Sequence, residues 1–358
     1  MQDERPEGKR GRRERDGRVS DGLYEGLFTS DGQSSAYFGS MTFNGFMVAI
    51  PISVTHGVVL GLGLTPYSHT RYDVLVPGMY DDLTYSMEYT GSGGLTQGQL
   101  GLSATITPDL NIGARLNYIG GTLNYKSRQI FGTSDYAEVT RSLQLDGLNQ
   151  TFGVVYTGLK QYLDLPEKQS FNVAAIFTTT CYLSSREEKD YLYRTSTLRT
   201  RDTTLSEKTK IRLPYSFGIG LSYGTERISA ATDFYYHNWE NSFSTDGVLT
   251  ELRNSYRLSA GCEFLPRREA STTFLRQVAY RVGTFYHSSY FQIKNKPINE
   301  IGFTAGIGIP LFIDTRIDLG FEYAMRGTTD LHIQKDNIIR FTLSINGSEL
   351  WFVRPEIE

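Results

Sequence analysis

Five histidines, His56, His69, His237, His287 and His332, are the side chains best suited to bind a metal or carry a proton. Metal ligands usually come in pairs at short spacings, so that two side chains reach one ion. No two of these histidines stand at such a spacing, and no metal is expected. A hydrolase would need a serine, a histidine and a third orienting group within hydrogen-bond reach. His287 and Ser289 share one strand face, but residues two apart on a strand lie roughly 6.5 Å apart. Asp233 and His237 lie farther apart still. A triad assembled from several strands stays open; the expectation is a non-enzyme with no catalytic residue and no cofactor. The glycine-rich stretches "GLGLTPYS" and "GIGLSYG" precede no helix, so they do not form a phosphate cradle. Cys181 and Cys262 are far apart and each falls on the apolar side of its local alternation. A disulfide between them is open, and two isolated thiols are the simpler reading.

The elements that must position these residues read as strands. In "GQLGLSATITPDLNIGARLNYIGG", Leu100, Leu102, Ala104 and Ile106 alternate with glycine, serine and threonine. After Thr107-Pro108-Asp109 the alternation resumes with Leu110, Ile112, Ala114, Leu116 and Tyr118. This strict period of two recurs at 215–223, 256–264, 301–309 and 317–325, and no convincing helix interrupts it. The spans are 20–29, 35–52, 57–67, 79–107, 110–125, 143–160, 168–185, 209–224, 227–240, 253–265, 278–292, 299–312, 315–326 and 337–350. That is about fourteen strands, an even number, provided that 79–107 is one strand bulged at Gly91–Gly94.

Composition agrees. The 358 residues are 39% hydrophobic and 13% aromatic, with 36 glycines and only 2 tryptophans. Few aliphatics with many Tyr, Phe and Gly suit twisted strands with aromatic girdles. The net charge of −3 implies no nucleic-acid partner. No window reaches the roughly 18 apolar residues of a membrane helix. Connections such as Thr107–Asp109, Gly224–Arg227 and Phe312–Thr315 are short. Lys126–Ser142, Ser185–Lys208 and Glu240–Leu252 are long and polar, the second a solvated loop with a hairpin tendency. Short and long mostly alternate, as in a membrane barrel with tight turns at one end.

The expected fold is therefore all-β, a transmembrane antiparallel barrel over 20–352. Residues 1–19 read as a disordered charged tail or a mis-set start, and 353–358 as a C-terminal tail. Apolar residues face lipid, and closure satisfies the backbone. The lumen then receives Arg115, Arg257, Glu263, Arg281, Asp318, Glu322 and Arg340. An arginine turned to mid-membrane lipid would cost roughly 2–4 kcal/mol, so the register is strongly specified. A soluble sandwich would alternate too, but would carry Lys and Glu on its polar face instead of Gly, Ser and Asn.

The chain resembles the FadL-type outer-membrane transporters of long-chain fatty acids and other hydrophobic compounds. The resemblance lies in "FNGFMVAIPI", "VVLGLGLTPYSHTRYDV", "GGLTQGQLGLSATITPDLNIGARLNY", "LPYSFGIGLSYGTERISAATDFYYHNW" and "YRVGTFYHSSY". It implies a monomeric fourteen-stranded barrel in the bacterial outer membrane, inserted by the barrel assembly machinery and in contact with outer-membrane lipid. It also implies that a hydrophobic small molecule leaves sideways through the third strand, here 57–67 with Gly61, Gly63 and Pro66. Pro66 has no N–H for the ladder, though it also suits an ordinary strand end. The family's signal peptide and N-terminal hatch are not recognisable in the first twenty residues, which puts hatch gating in doubt. The alternative is a structural or secretion-accessory barrel that moves no solute.

Overall fold

The computed structural model describes residues 16–30, 35–53, 55–80, 83–131, 135–195, 197–206, 208–241, 252–266, 273–293, 296–312, 315–328 and 335–349. These form one closed antiparallel barrel of 14 strands. In chain order they are β1 (Asp16–Ser30), β2 (Ser35–Ser53), β3 (Val58–His69, continued by Tyr72–Tyr80), β4 (Leu83–Thr107) and β5 (Leu110–Phe131). Next come β6 (Asp135–Tyr156), β7 (Ser170–Thr178, continued by Cys181–Arg194) and β8 (Arg199–Leu205, Thr209–Leu213 and Ser216–Gly224). The wall is completed by β9 (Ile228–His237), β10 (Ser255–Phe264), β11 (Ala279–Ile293), β12 (Lys296–Phe312), β13 (Thr315–Gly327) and β14 (Lys335–Glu349). Each strand pairs with its sequence neighbours, and β1 pairs with β14 from Asp16↔Glu349 to Ser30↔Lys335. Closure removes the free edges that lipid could not hydrogen-bond.

The period-two pattern sets the two faces. Leu100, Leu102, Leu116 and Tyr118 are 44–53% exposed, a burden that only lipid relieves for so many apolar side chains. Their neighbours Gln99, Gly101, Arg115 and Asn117 lie on the inner face, where Asn117 bonds to Asn149 and Thr151 at 2.9 Å. Tyr24, Phe28 and Tyr37 cluster outside near one rim, with Phe28 and Tyr37 rings 4.6 Å apart.

Several expectations are corrected. Lys126–Ser142 and Ser185–Lys208 are largely strand: β5–β6 and β7–β8 rise as long hairpins. Their sequence lacks apolar alternation because cross-strand ion pairs hold them instead. Arg128 joins Glu138 at 2.6 Å and Glu88 at 3.3 Å, and Arg201 joins Asp190 at 2.7 Å. The asymmetry between the barrel's ends is thus one of strand length more than of loop length. Tyr80 ends β3 and β4 begins at Leu83, so the span 79–107 divides there. Residues 16–19, expected in the tail, form the start of β1. Two single-turn helices, α1 (Leu159–Tyr162) and α2 (Phe274–Gln277), lie in connections at the short-turn end. Most of Glu240–Leu252, His332 and the boundary at 352 lie outside the described residues.

Candidate functional site

Between β2 and β3 the wall is incompletely zipped. β2 and β3 pair from Ser53↔Val58 only as far as Phe46↔Leu64. Beyond that point residues 35–45 of β2 pair with β1 alone, and residues 65–80 of β3 pair with β4 alone. Local chemistry explains the parting. Gly45 has φ +121, and a Cβ there would lie 2.6 Å from the Leu64 carbonyl oxygen. A register shift between Asp21 and Gly22 leaves Asn44 bulged beside it. Pro66 has no N–H, and the β3–β4 register shifts between Pro66 and Ser68. On β4, Gly93 takes φ +104 where a Cβ would meet the Thr122 carbonyl at 2.2 Å.

A cavity of about 580 Å³ occupies this opening. Phe43 and Asn44 of β2, Pro66 and Tyr67 of β3, and Leu95 of β4 line it, with Glu25 at its β1 side. Leu95 continues inward into a buried apolar cluster with Ile119, Leu145, Cys181, Leu183 and Leu213. Tyr67 comes within electrostatic reach of Cys181, Tyr235 and Tyr290. Trp239 packs against the cluster and stacks on Tyr290 at 4.5 Å. The inner face around Leu95 is therefore an apolar patch with Trp239 packed against it, while Gln99, Arg115 and Asn117 keep the same face polar nearer the short turns.

The opposite inner face is charged. Arg340 on β14 meets Glu25 at 2.6 Å, Glu300 at 3.4 Å and also Glu322, tying β1 to β12 and β13. Arg281 joins Glu263 at 2.9 Å and Asp318 at 2.8 Å, with Arg316 on Asp318 at 3.0 Å. Charge-assisted pairs of this kind satisfy buried carboxylates such as Glu300, only 8% exposed. The opening lies where the charged and apolar inner faces meet.

The expected residues are placed as follows. Pro66 lines the opening. Gly61 and Gly63 sit in the zipped ladder below it, opposite Ala49 and Met47 of β2. Glu263, Arg281 and Asp318 form one inner cluster, and Glu322 and Arg340 another. Arg257 stands apart, 4.0 Å over the Phe285 ring. Arg115 bonds Gln99 at 2.9 Å. Both cysteines are free; Cys181 is enclosed in the inner apolar cluster. Sequence reasoning missed Glu25, Gly45, Tyr67 and Leu95, while Gly93 falls within the expected irregularity at Gly91–Gly94. The Asn-Gly pair inside "FNGF" was a usable signal, since it interrupts an apolar run with turn chemistry. The inner apolar cluster had none, because period two reports an apolar face without saying which side it takes.

Comparisons with known proteins agree with this architecture. The family model described as BamG matches residues 22–358. No curated protein matches the chain. Among solved structures, the P. putida toluene transporter TodX is 12% identical over 96% of this chain and 91% of its own, with a TM-score of 0.61. A Pseudomonas aeruginosa FadL homologue is 10% identical over 93% and 90%, with a TM-score of 0.61. The Ralstonia pickettii toluene transporter TbuX is 10% identical over 93% and 89%, with a TM-score of 0.60. At such identities the likeness is one of fold. The chain belongs to the BamG family, built as a barrel of the FadL type.

Proposed function

We propose that this barrel sits in the bacterial outer membrane as a monomer and passes hydrophobic compounds sideways through the opening between β2 and β3. The observation that carries this reading is the parting of the two strands above Phe46↔Leu64, with a cavity lined by Leu95, itself a member of the inner apolar cluster. An apolar solute gains roughly 25 cal/mol per Å² of surface kept from water. The apolar patch around Leu95 and Ile119 supports that; the charged β10–β14 side does not. An exit through the wall avoids the charged side. The solutes are long-chain fatty acids or other hydrophobic compounds; two of the solved barrels of this fold are toluene transporters.

The test is a cysteine pair, Asn44→Cys with Pro66→Cys, with Cys181 and Cys262 replaced. Oxidation should stop uptake of a labelled hydrophobic compound, and reduction should restore it. Uptake unaffected by a verified cross-link rules out the lateral route.

A second reading is favoured by the family match, whose name points toward barrel assembly. Here the barrel is a structural or secretion-accessory part that works beside the barrel assembly machinery and moves no solute. Depleting the protein should then lower other outer-membrane barrels, and cross-linking should recover assembly components. Normal barrel levels in depleted cells, with lost uptake, would decide for transport.

A further inference from the structure

β9 follows β8 only from Gly224 to Tyr215, and β2 follows β3 only as far as Leu64. Beyond these points the continued β3, β4, β5, β6, β7 and β8 stand clear of the closed wall as one open antiparallel sheet. Its edges are Tyr72–Tyr80 of β3 and Arg199–Leu205 of β8. Among the described residues each edge pairs with one strand only. An open edge offers a row of N–H and C=O groups to any extended chain.

The two edges differ. In an antiparallel pair, alternate residues turn both backbone groups to the neighbour, and those between turn them away. Thr70 N donates to the Gly93 carbonyl, in register with Tyr72↔Gly91, so the outward groups belong to Asp73, Leu75, Pro77 and Met79. Pro77 has no N–H at this outward position, which blunts the edge. On β8, Thr195 N donates to the Leu198 carbonyl and Ser206 N to the Glu187 carbonyl. Both bonds fix the same alternation, in which Arg199, Arg201, Thr203 and Leu205 face outward. Every residue from Arg199 to Leu205 is exposed, and no proline interrupts them.

The charge on this edge is unbalanced. Arg194 and Arg199 stand directly opposite each other near the tip, an unfavourable cross-strand pair. Arg201, on the same face, is held by Asp190 at 2.7 Å. Neither Arg194 nor Arg199 meets a carboxylate among the described residues.

We propose that Arg199–Leu205 takes an extended acidic segment of a partner protein as an added strand. The outward backbone groups supply the ladder, and a carboxylate beside Arg199 relieves its repulsion with Arg194. A second copy of this chain fits poorly, because it brings the same arginines against one another. The docking edge is separate from the opening between β2 and β3, and neither depends on the other.

The experiment titrates the detergent-solubilised full chain with a fluorescein-labelled peptide, TEVEVET, followed by anisotropy. TKVKVKT and a backbone N-methylated TEVEVET are the controls. The acidic peptide should bind, with both controls at least about tenfold weaker. It should slow hydrogen exchange at Arg199–Leu205 and leave Tyr72–Tyr80 unchanged. Leu205→Pro removes one outward N–H without touching the β7 ladder, and should weaken binding at least about tenfold. Arg194→Gln with Arg199→Gln should abolish the preference for the acidic peptide. Folding is checked by heat-modifiable gel mobility, and the N-methylated peptide tests the ladder even if Leu205→Pro does not fold. Binding that survives N-methylation is charge attraction alone and overturns the added strand. Equal binding of TEVEVET and TKVKVKT overturns the acidic partner, and no binding of either overturns the docking edge. Binding only after residues 242–251 are replaced by a glycine-serine linker assigns the edge to the chain's own loop. Dimers that Leu205→Pro abolishes assign it to a second copy; either result overturns the partner protein.

Discussion

Gly45 and Leu64 meet where the barrel wall divides: the Leu64 carbonyl oxygen lies 2.6 Å from where a Cβ on Gly45 would stand. Phe46↔Leu64 is the last pair between β2 and β3, so this contact marks the top of the zipped ladder.

Gly45→Ala should therefore destabilise the barrel by about 1–3 kcal/mol, from the strained φ and the carbonyl clash. Gly61→Ala is the control. Its nearest neighbour is 4.0 Å away and its φ is ordinary, so its cost should stay within about 0.5 kcal/mol. Urea unfolding of refolded barrels in lipid measures both, and equal costs would show that the parting does not depend on Gly45.

The face assignment is tested at β4. Leu102 is 52% exposed on the outer face, and Ser103 is exposed to the lumen. Leu102→Arg should cost roughly 2–4 kcal/mol near mid-membrane, while Ser103→Arg should cost well under half of that. The reverse order in the same lipid assay would invert the register. Asn117 is unsuitable as the lumen probe, because it is 1% exposed and held by Asn149 and Thr151.

The Arg340 clasp makes a third prediction. Arg340→Met leaves Glu25, Glu300 and Glu322 facing one another without a counter-charge. The pairs are partly open to the lumen, so the loss should be about 1–3 kcal/mol and not the full cost of a buried charge. Adding Glu300→Gln should recover part of it. A double variant no more stable than Arg340→Met would show that carboxylate repulsion is not the cause.

Orientation can be read on cells. A tag near Thr197, at the tip of the long β7–β8 hairpin, should be labelled on intact cells. A tag at Asp109, in the short turn between β4 and β5, should be labelled only after the outer membrane is permeabilised. Labelling at Asp109 without permeabilisation would turn the barrel over.

What the sequence determined by itself was the strand period, the fourteen-strand count and the side on which Leu100, Leu102 and Leu116 lie. These follow from local rules, because successive strand residues alternate faces and an unpaired backbone cannot sit in lipid. It also marked Pro66, since a missing N–H is a property of one residue. Tertiary structure decided what depends on distant partners. The polar hairpins β5–β6 and β7–β8 are strands because Arg128 finds Glu88 and Glu138, and Arg201 finds Asp190. Leu95, Ile119 and Cys181 are apolar residues that face inward, because they lie on neighbouring walls of one lumen and bury each other. Glu25 and Arg340 are 315 positions apart, and only closure of β1 on β14 brings them together. The opening arises the same way: Gly45, Pro66 and Gly93 each bend their own strand, and the wall parts because pairing sets the three irregularities beside one another.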